Sequence, residues 1–162
     1  MSELPHDVLI ALHALAGVVC FGAGALSLRV SAAQSWRFQV FVVSLAAMWL
    51  FLLGAVAVDW SGISAGTRWL YAGLLGLGLY MLWRGARARA RLRTQGDGWR
   101  PRYIDDLGFT LISLFDGFVI VSAMDLSAPA WLVVIVAVAG VAASILAVRR
   151  IKATLGTEPA NR

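Results

Sequence analysis

The chain has 162 residues, 60% of them hydrophobic and 14% charged, with a mean hydropathy of +0.77. That length allows one domain, and so apolar a composition excludes an ordinary soluble globular protein and points to an integral membrane protein. A formal charge of +5 and a pI near 10.3 would suit nucleic acid, but the basic residues fall between apolar stretches, which excludes that partner.

Windows of about 19 residues pick out five segments near the roughly 20 residues that a helix needs to cross a bilayer. They lie at about 8–28, 38–58, 67–83, 106–124 and 130–148. The predicted fold class is therefore an all-α polytopic bundle of five transmembrane helices in a single domain over residues 1–162. Leu4-Pro5-His6-Asp7 reads as a helix start, because proline tolerates the first turn and an acid there complements the helix dipole. The N-terminus carries Glu3 and Asp7 but no basic residue, and no small-residue cleavage pattern follows the first span, so this helix is expected to be retained. Its interior holds Ala14, Ala16, Gly17, Cys20, Gly22, Gly24 and Ala25, small residues that let a neighbouring backbone approach, and a central position is expected for it. Cys20 is the lone cysteine, which rules out a disulfide framework and a cysteine metal motif.

Arg29 and Arg37 separate the first two spans. Trp36, Trp60, Trp69, Trp83 and Trp131 stand near span ends, where an amphipathic ring sits at headgroup level, and Trp49 alone falls mid-span. The third span carries Gly73, Gly76 and Gly78 and runs into "RGARARARLR", whose helix formers can prolong the helix beyond the membrane. "TQGDGWRPRY" (94–103) reads as the one real loop, on its two glycines, proline and mixed charge. Arg84, Arg87, Arg89, Arg91, Arg93, Arg100 and Arg102 all fall between the third and fourth spans, and Arg149, Arg150, Lys152 and Arg162 follow the fifth. With five spans, 13 of the 14 basic residues share one side and Arg68 stands on the other. That asymmetry predicts an outer N-terminus and a cytoplasmic C-terminus. "DLSAP" reads as a short outer turn, with Ser127 capping a last helix that begins near Pro129. A faint likeness of "AGVVCFGAGALSLRV" to "AGVAASILAVRR" is explained by apolar composition and a basic stop rather than by a repeat.

The chain holds no phosphate loop, dinucleotide fingerprint, zinc-type spacing or nucleophile elbow, so the reading is non-enzymatic and without a cofactor. The chemistry-bearing residues within the spans are few. "ISLFDGFVIV" sets Asp116 eight residues before the outer end of the fourth span, roughly 12 Å deep at 1.5 Å per residue. A charge there costs about 2.5 to 3.5 kcal/mol. Unpaired, the carboxyl is expected to hold a proton, and paired, to stay ionised. His13 lies at comparable depth, roughly 8 Å from the outer end of the first span. His6, His13, Gly17, Cys20 and Gly24 share a stripe expected to face inward, and Thr110, Ser113 and Gly117 run beside Asp105 and Asp116.

Two readings stand open. In one, Asp116 and His13 pair, with Ser113, Thr110 and an outer His6 nearby, as a proton-sensitive or small-solute site. In the other, Asp116 bonds a hydroxyl or carbonyl of a neighbouring helix and pins packing in a structural or accessory subunit, while His13 is a satisfied interior histidine. A haem or quinone redox protein is a third reading; for haem, His6 and His13 share one helix and cannot ligate it from opposite sides. Asp59, Asp105, Asp106 and Asp125 sit at span ends and read as solvated or as dipole partners. Arg87, Arg89, Arg91 and Arg93 can contact anionic lipid headgroups, or serve only as a topology signal. Partners are thus the lipid bilayer, with a homodimer or a second membrane protein compatible with the glycine-rich faces.

"LHALAGVVCFGAGALSLRV", followed by a second span and a glycine-rich third, resembles the first half of small bacterial membrane proteins of the uncharacterised DUF2306 type. The matching positions are His13, Gly17 and Gly24, and "YIDDLGFTLISLFDGF" resembles some relatives further along. The family pattern has a Lys-Gly stretch and a second histidine before the second span, where this chain has "SAAQSWRFQVF". The resemblance implies a multi-pass bundle in a bacterial inner membrane, and no particular reaction.

Overall fold

A computed structural model describes residues 3–28, 34–62 and 65–125, and, further on, residues 135, 138–140, 142, 145–146 and 149–150. The helices with defined bounds are α1 (Glu3–Ser27), α2 (Gln34–Asp59), α3 (Ala65–Thr94) and α4 (Trp99–Asp125). The described residues between 135 and 150 are helical as well, and no strand occurs among the described residues. Arg29, Ser127, Pro129, Trp131, Lys152 and Arg162 lie outside them, as do the limits of the expected fifth span. Two helices are long and apolar enough to cross a membrane, over Pro5–Ser27 and Trp36–Asp59. The apolar part of α3 gives way to arginines from Arg84 onward, and α4 opens on Arg100, Arg102, Asp105 and Asp106.

The chain divides into two compact units, Met1–Ala86 and Arg87–Arg162. In the first, α1 and α2 form an antiparallel pair. Pro5 is accommodated in the first turn of α1, where a missing N–H leaves nothing unsatisfied. On α2, Phe38, Phe41, Leu45, Met48 and Ala55 are buried, a spacing of three and four that puts them on one stripe. α1 meets this stripe with small residues. A methyl group on Gly17 would lie 3.5 Å from the Met48 sulfur, and further along the pair the small residue is on α2, where a methyl group on Gly54 would lie 3.5 Å from Leu9 of α1. α2 also packs on the apolar part of α3, where Trp49 covers Gly78 and Gly85 lies against Leu45 and Phe41. Within the first unit α2 is touched from both sides, by α1 and by α3. α1 turns Leu15, Val18 and Leu26 outward.

In the second unit the expected loop over 94–103 shrinks to four residues. α3 continues to Thr94, as the helix-forming arginine segment allows, and α4 begins at Trp99, with Pro101 again tolerated in a first turn. Gln95 adopts a left-handed φ of 44° and donates its N–H to the Arg91 carbonyl at 3.0 Å, closing the end of α3. Gly98 takes φ 65°, a backbone state that glycine reaches without penalty, and α4 starts directly after it. A hairpin of helices results, with Tyr103, Ile104, Leu107, Thr110 and Leu111 of α4 buried.

Candidate functional site

The inward stripe expected on α1 is present. His6 and His13 are half-buried, Cys20 and Gly24 fully so, while Val8, Leu12, Leu15 and Val19 on other faces are exposed. His13 Nδ1–H donates to the backbone carbonyl of Met48 at 2.8 Å. A carbonyl can only accept, so in the neutral ring the proton sits on Nδ1 and Nε2 is the acceptor. One turn pair further, the Cys20 thiol donates to the Phe41 carbonyl at 3.6 Å. His6 Nδ1 lies 2.9 Å from Asp59 Oδ2, tying the first turn of α1 to the last residue of α2. The Asp59 side chain is 46% exposed, in keeping with the solvated end expected of it, but it is no dipole partner. An acid at a helix C-terminus faces the negative end of the dipole and gains nothing there, and the imidazole supplies its partner instead. Arg68 donates to the Trp60 carbonyl at 3.1 Å and stacks over the Trp60 ring at 5.1 Å, bracing the turn after α2.

In the second unit, Arg91 reaches across the hairpin. Its Nη1 lies 2.5 Å from Asp106 Oδ2 and donates to the Arg102 carbonyl at 2.6 Å. Asp106 is 2% exposed, so it is neither a solvated helix end nor a dipole partner, and Arg91 is turned inward rather than toward headgroups. Arg87, Arg89 and Arg93 are exposed, as the headgroup reading requires of them. Thr110 is fully buried and donates its hydroxyl to the Asp106 carbonyl at 3.3 Å, the usual back-bond of a helical threonine. Thr110 thus belongs to the Asp106 cluster. Ser113 is half-buried one turn further along α4.

Asp116 is half-buried, and its Oδ1 is buried without a hydrogen-bond partner among the described residues. It stands nine residues before the end of α4, roughly 14 Å along the helix at 1.5 Å per residue. The last segment approaches it closely: a Cβ on Gly140 would lie 3.1 Å from Oδ1 and 3.1 Å from the Phe115 ring. Only glycine leaves the carboxyl that space without a shift. His13 and Asp116 belong to different units, and within its own unit His13 already has the Met48 carbonyl.

Two features were missed at the level of sequence. The Arg91–Asp106 pair is hidden by a separation of 15 residues, and a shorter loop would have revealed it, since a four-residue turn obliges the flanking helices to run side by side. The Met48 carbonyl has no signature at all. No protein-family model, curated protein or solved structure matches the chain.

Proposed function

We propose that the chain is a multi-pass membrane protein of the bacterial plasma membrane, N-terminus outside and C-terminus cytoplasmic, that handles a proton or a small solute through Asp116. The membrane reading draws support from where the apolar surface lies. Only 11% of the apolar window of α1 and 33% of that of α2 is buried, whereas the core helix of a soluble protein hides most of its apolar surface. Leu15, Val18, Val43 and Leu50 point outward from these helices, a surface suited to lipid. The His6–Asp59, His13–Met48 and Cys20–Phe41 contacts favour a retained first helix over a cleaved leader.

One observation carries the functional reading. His6 and Asp59, and Arg91 and Asp106, stand within ion-pair distance of each other and His13 holds the Met48 carbonyl, while among the described residues the buried Asp116 Oδ1 has neither an ion pair nor a hydrogen bond. An unsatisfied polar group in an apolar medium costs on the order of a few kcal/mol, a cost removed when a proton or a polar solute binds it. In proteoliposomes carrying a pH-sensitive dye, wild-type protein is expected to relax an imposed pH gradient. The isosteric Asp116→Asn variant should insert and fold with unchanged helicity but lose the flux; flux at the wild-type rate in that variant ends the proposal.

The close approach of Gly140 favours a second reading, in which Asp116 only sets the packing of the last segment on α4 in a structural or accessory subunit. There the same variant lowers the unfolding temperature, and neither protein carries flux.

A further inference from the structure

The arginine-rich connection between α3 and α4 is a folded hairpin, and its arginines divide into two kinds. Arg91 is consumed internally: its guanidinium neutralises Asp106 and holds the Arg102 carbonyl, which joins the end of α3 to the start of α4. The other arginines of the hairpin, Arg87, Arg89, Arg93, Arg100 and Arg102, are exposed. Arg89 and Arg93 are four residues apart on α3 and share a face. The Arg91 bond to the Arg102 carbonyl brings the α4 arginines alongside that helix end. Arg100 lies 5.8 Å from the Trp99 ring, whose half-buried indole is the kind of side chain that settles at headgroup level. The acids of the same stretch are Asp97, Asp105 and Asp106, and Asp106 is cancelled by Arg91. The exposed charge is therefore strongly positive and built on a braced scaffold.

The geometry points to this hairpin as a docking surface for the headgroups of anionic phospholipids, with Arg89, Arg93 and Arg102 as contacts and Arg91 as the internal brace that presents them. Charge complementarity selects this occupant. A basic cluster following an apolar span faces a negatively charged leaflet, where each arginine that reaches the surface adds attraction, and guanidinium forks fit phosphate oxygens. The inference rests on the membrane reading above but not on Asp116.

The test uses the full chain in nanodiscs of phosphatidylcholine with a minor share of phosphatidylglycerol, reading the ratio of the two lipids retained on the protein by native mass spectrometry. Wild-type protein is expected to enrich phosphatidylglycerol, less so at high salt. The Arg89→Gln/Arg93→Gln/Arg102→Gln variant should lose at least about tenfold of that preference, and the corresponding triple lysine variant should keep most of it. Equal retention in wild-type and glutamine variants, with helicity unchanged, overturns the assignment. Failure of the membrane reading appears separately, as release of the chain from membranes in an alkaline carbonate wash.

Discussion

At the scale of single residues, Arg91 and Asp106 define what a buried charge demands. The Asp106 side chain is 3% exposed and that of Arg91 23%, so little water stands ready to replace a lost partner. Removing one member of such a pair leaves an uncompensated charge and costs about 3 to 5 kcal/mol, whereas replacing both by apolar groups of similar volume is often neutral. Arg91→Gln is therefore expected to lower stability by that amount, measured as denaturant unfolding in detergent, and Arg91→Met/Asp106→Leu to recover most of it. A loss below about 1 kcal/mol in the single variant, typical of surface pairs, means that the hairpin is open in solution. The inward stripe from His6 to Gly24 was legible in the sequence, because small residues at helical spacing mark a face regardless of what packs on it. The partners of the histidines were not. A backbone carbonyl carries no residue type, and the His6–Asp59 pair spans 53 positions.

At the scale of elements, glycines that look alike in sequence separate by environment. Gly73, Gly76 and Gly78 all read as close-packing residues of the third span, yet a Cβ at Gly73 or Gly76 meets nothing within 4 Å. At Gly78 it would stand 2.5 Å from Trp49 Cδ1, and that indole is fixed on the same edge by the neighbouring Nε1–H, which donates to the Leu75 carbonyl at 3.0 Å. Gly78→Ala must therefore push Trp49 off its bond or spread α2 from α3, with an expected loss of about 1 to 3 kcal/mol. Gly76→Ala should be neutral or stabilising by up to about 1 kcal/mol, through helix propensity. Thermal unfolding of the two variants side by side checks this, and equal destabilisation would mean that Trp49 does not seat on Gly78. Mid-span Trp49, singled out by position alone, thus proves to be the lock between two helices. The interhelix turn was read too long because glycine, proline and charge all signal a loop, while Gln95 and Gly98 complete it within four residues and Pro101 fits a first turn.

At the scale of the whole molecule, the membrane reading makes a definite claim about which ends of the helices lie on which side. Trp36 and Trp60 are 24 residues apart on and just after α2, roughly 36 Å at 1.5 Å per residue, which suits rings at two opposite headgroup layers. α3 is the more demanding case, because only the 15 residues Trp69–Trp83 lie between Arg68 and Arg84, roughly 22 Å at 1.5 Å per residue, and a span so short would cross only by local thinning of the bilayer. Gly62 and Gly96 bracket this helix. Both are exposed, neither has a left-handed φ, and a side chain at Gly96 meets nothing within 4 Å. In a Cys20→Ala background, Gly62→Cys is expected to react with a membrane-impermeant maleimide in intact cells, and Gly96→Cys only after permeabilisation. The reverse pattern inverts the orientation deduced from the basic residues. Reaction of both from the same side means that α3 does not cross, which removes the third span and places the arginine hairpin on the same face as the turn after α2.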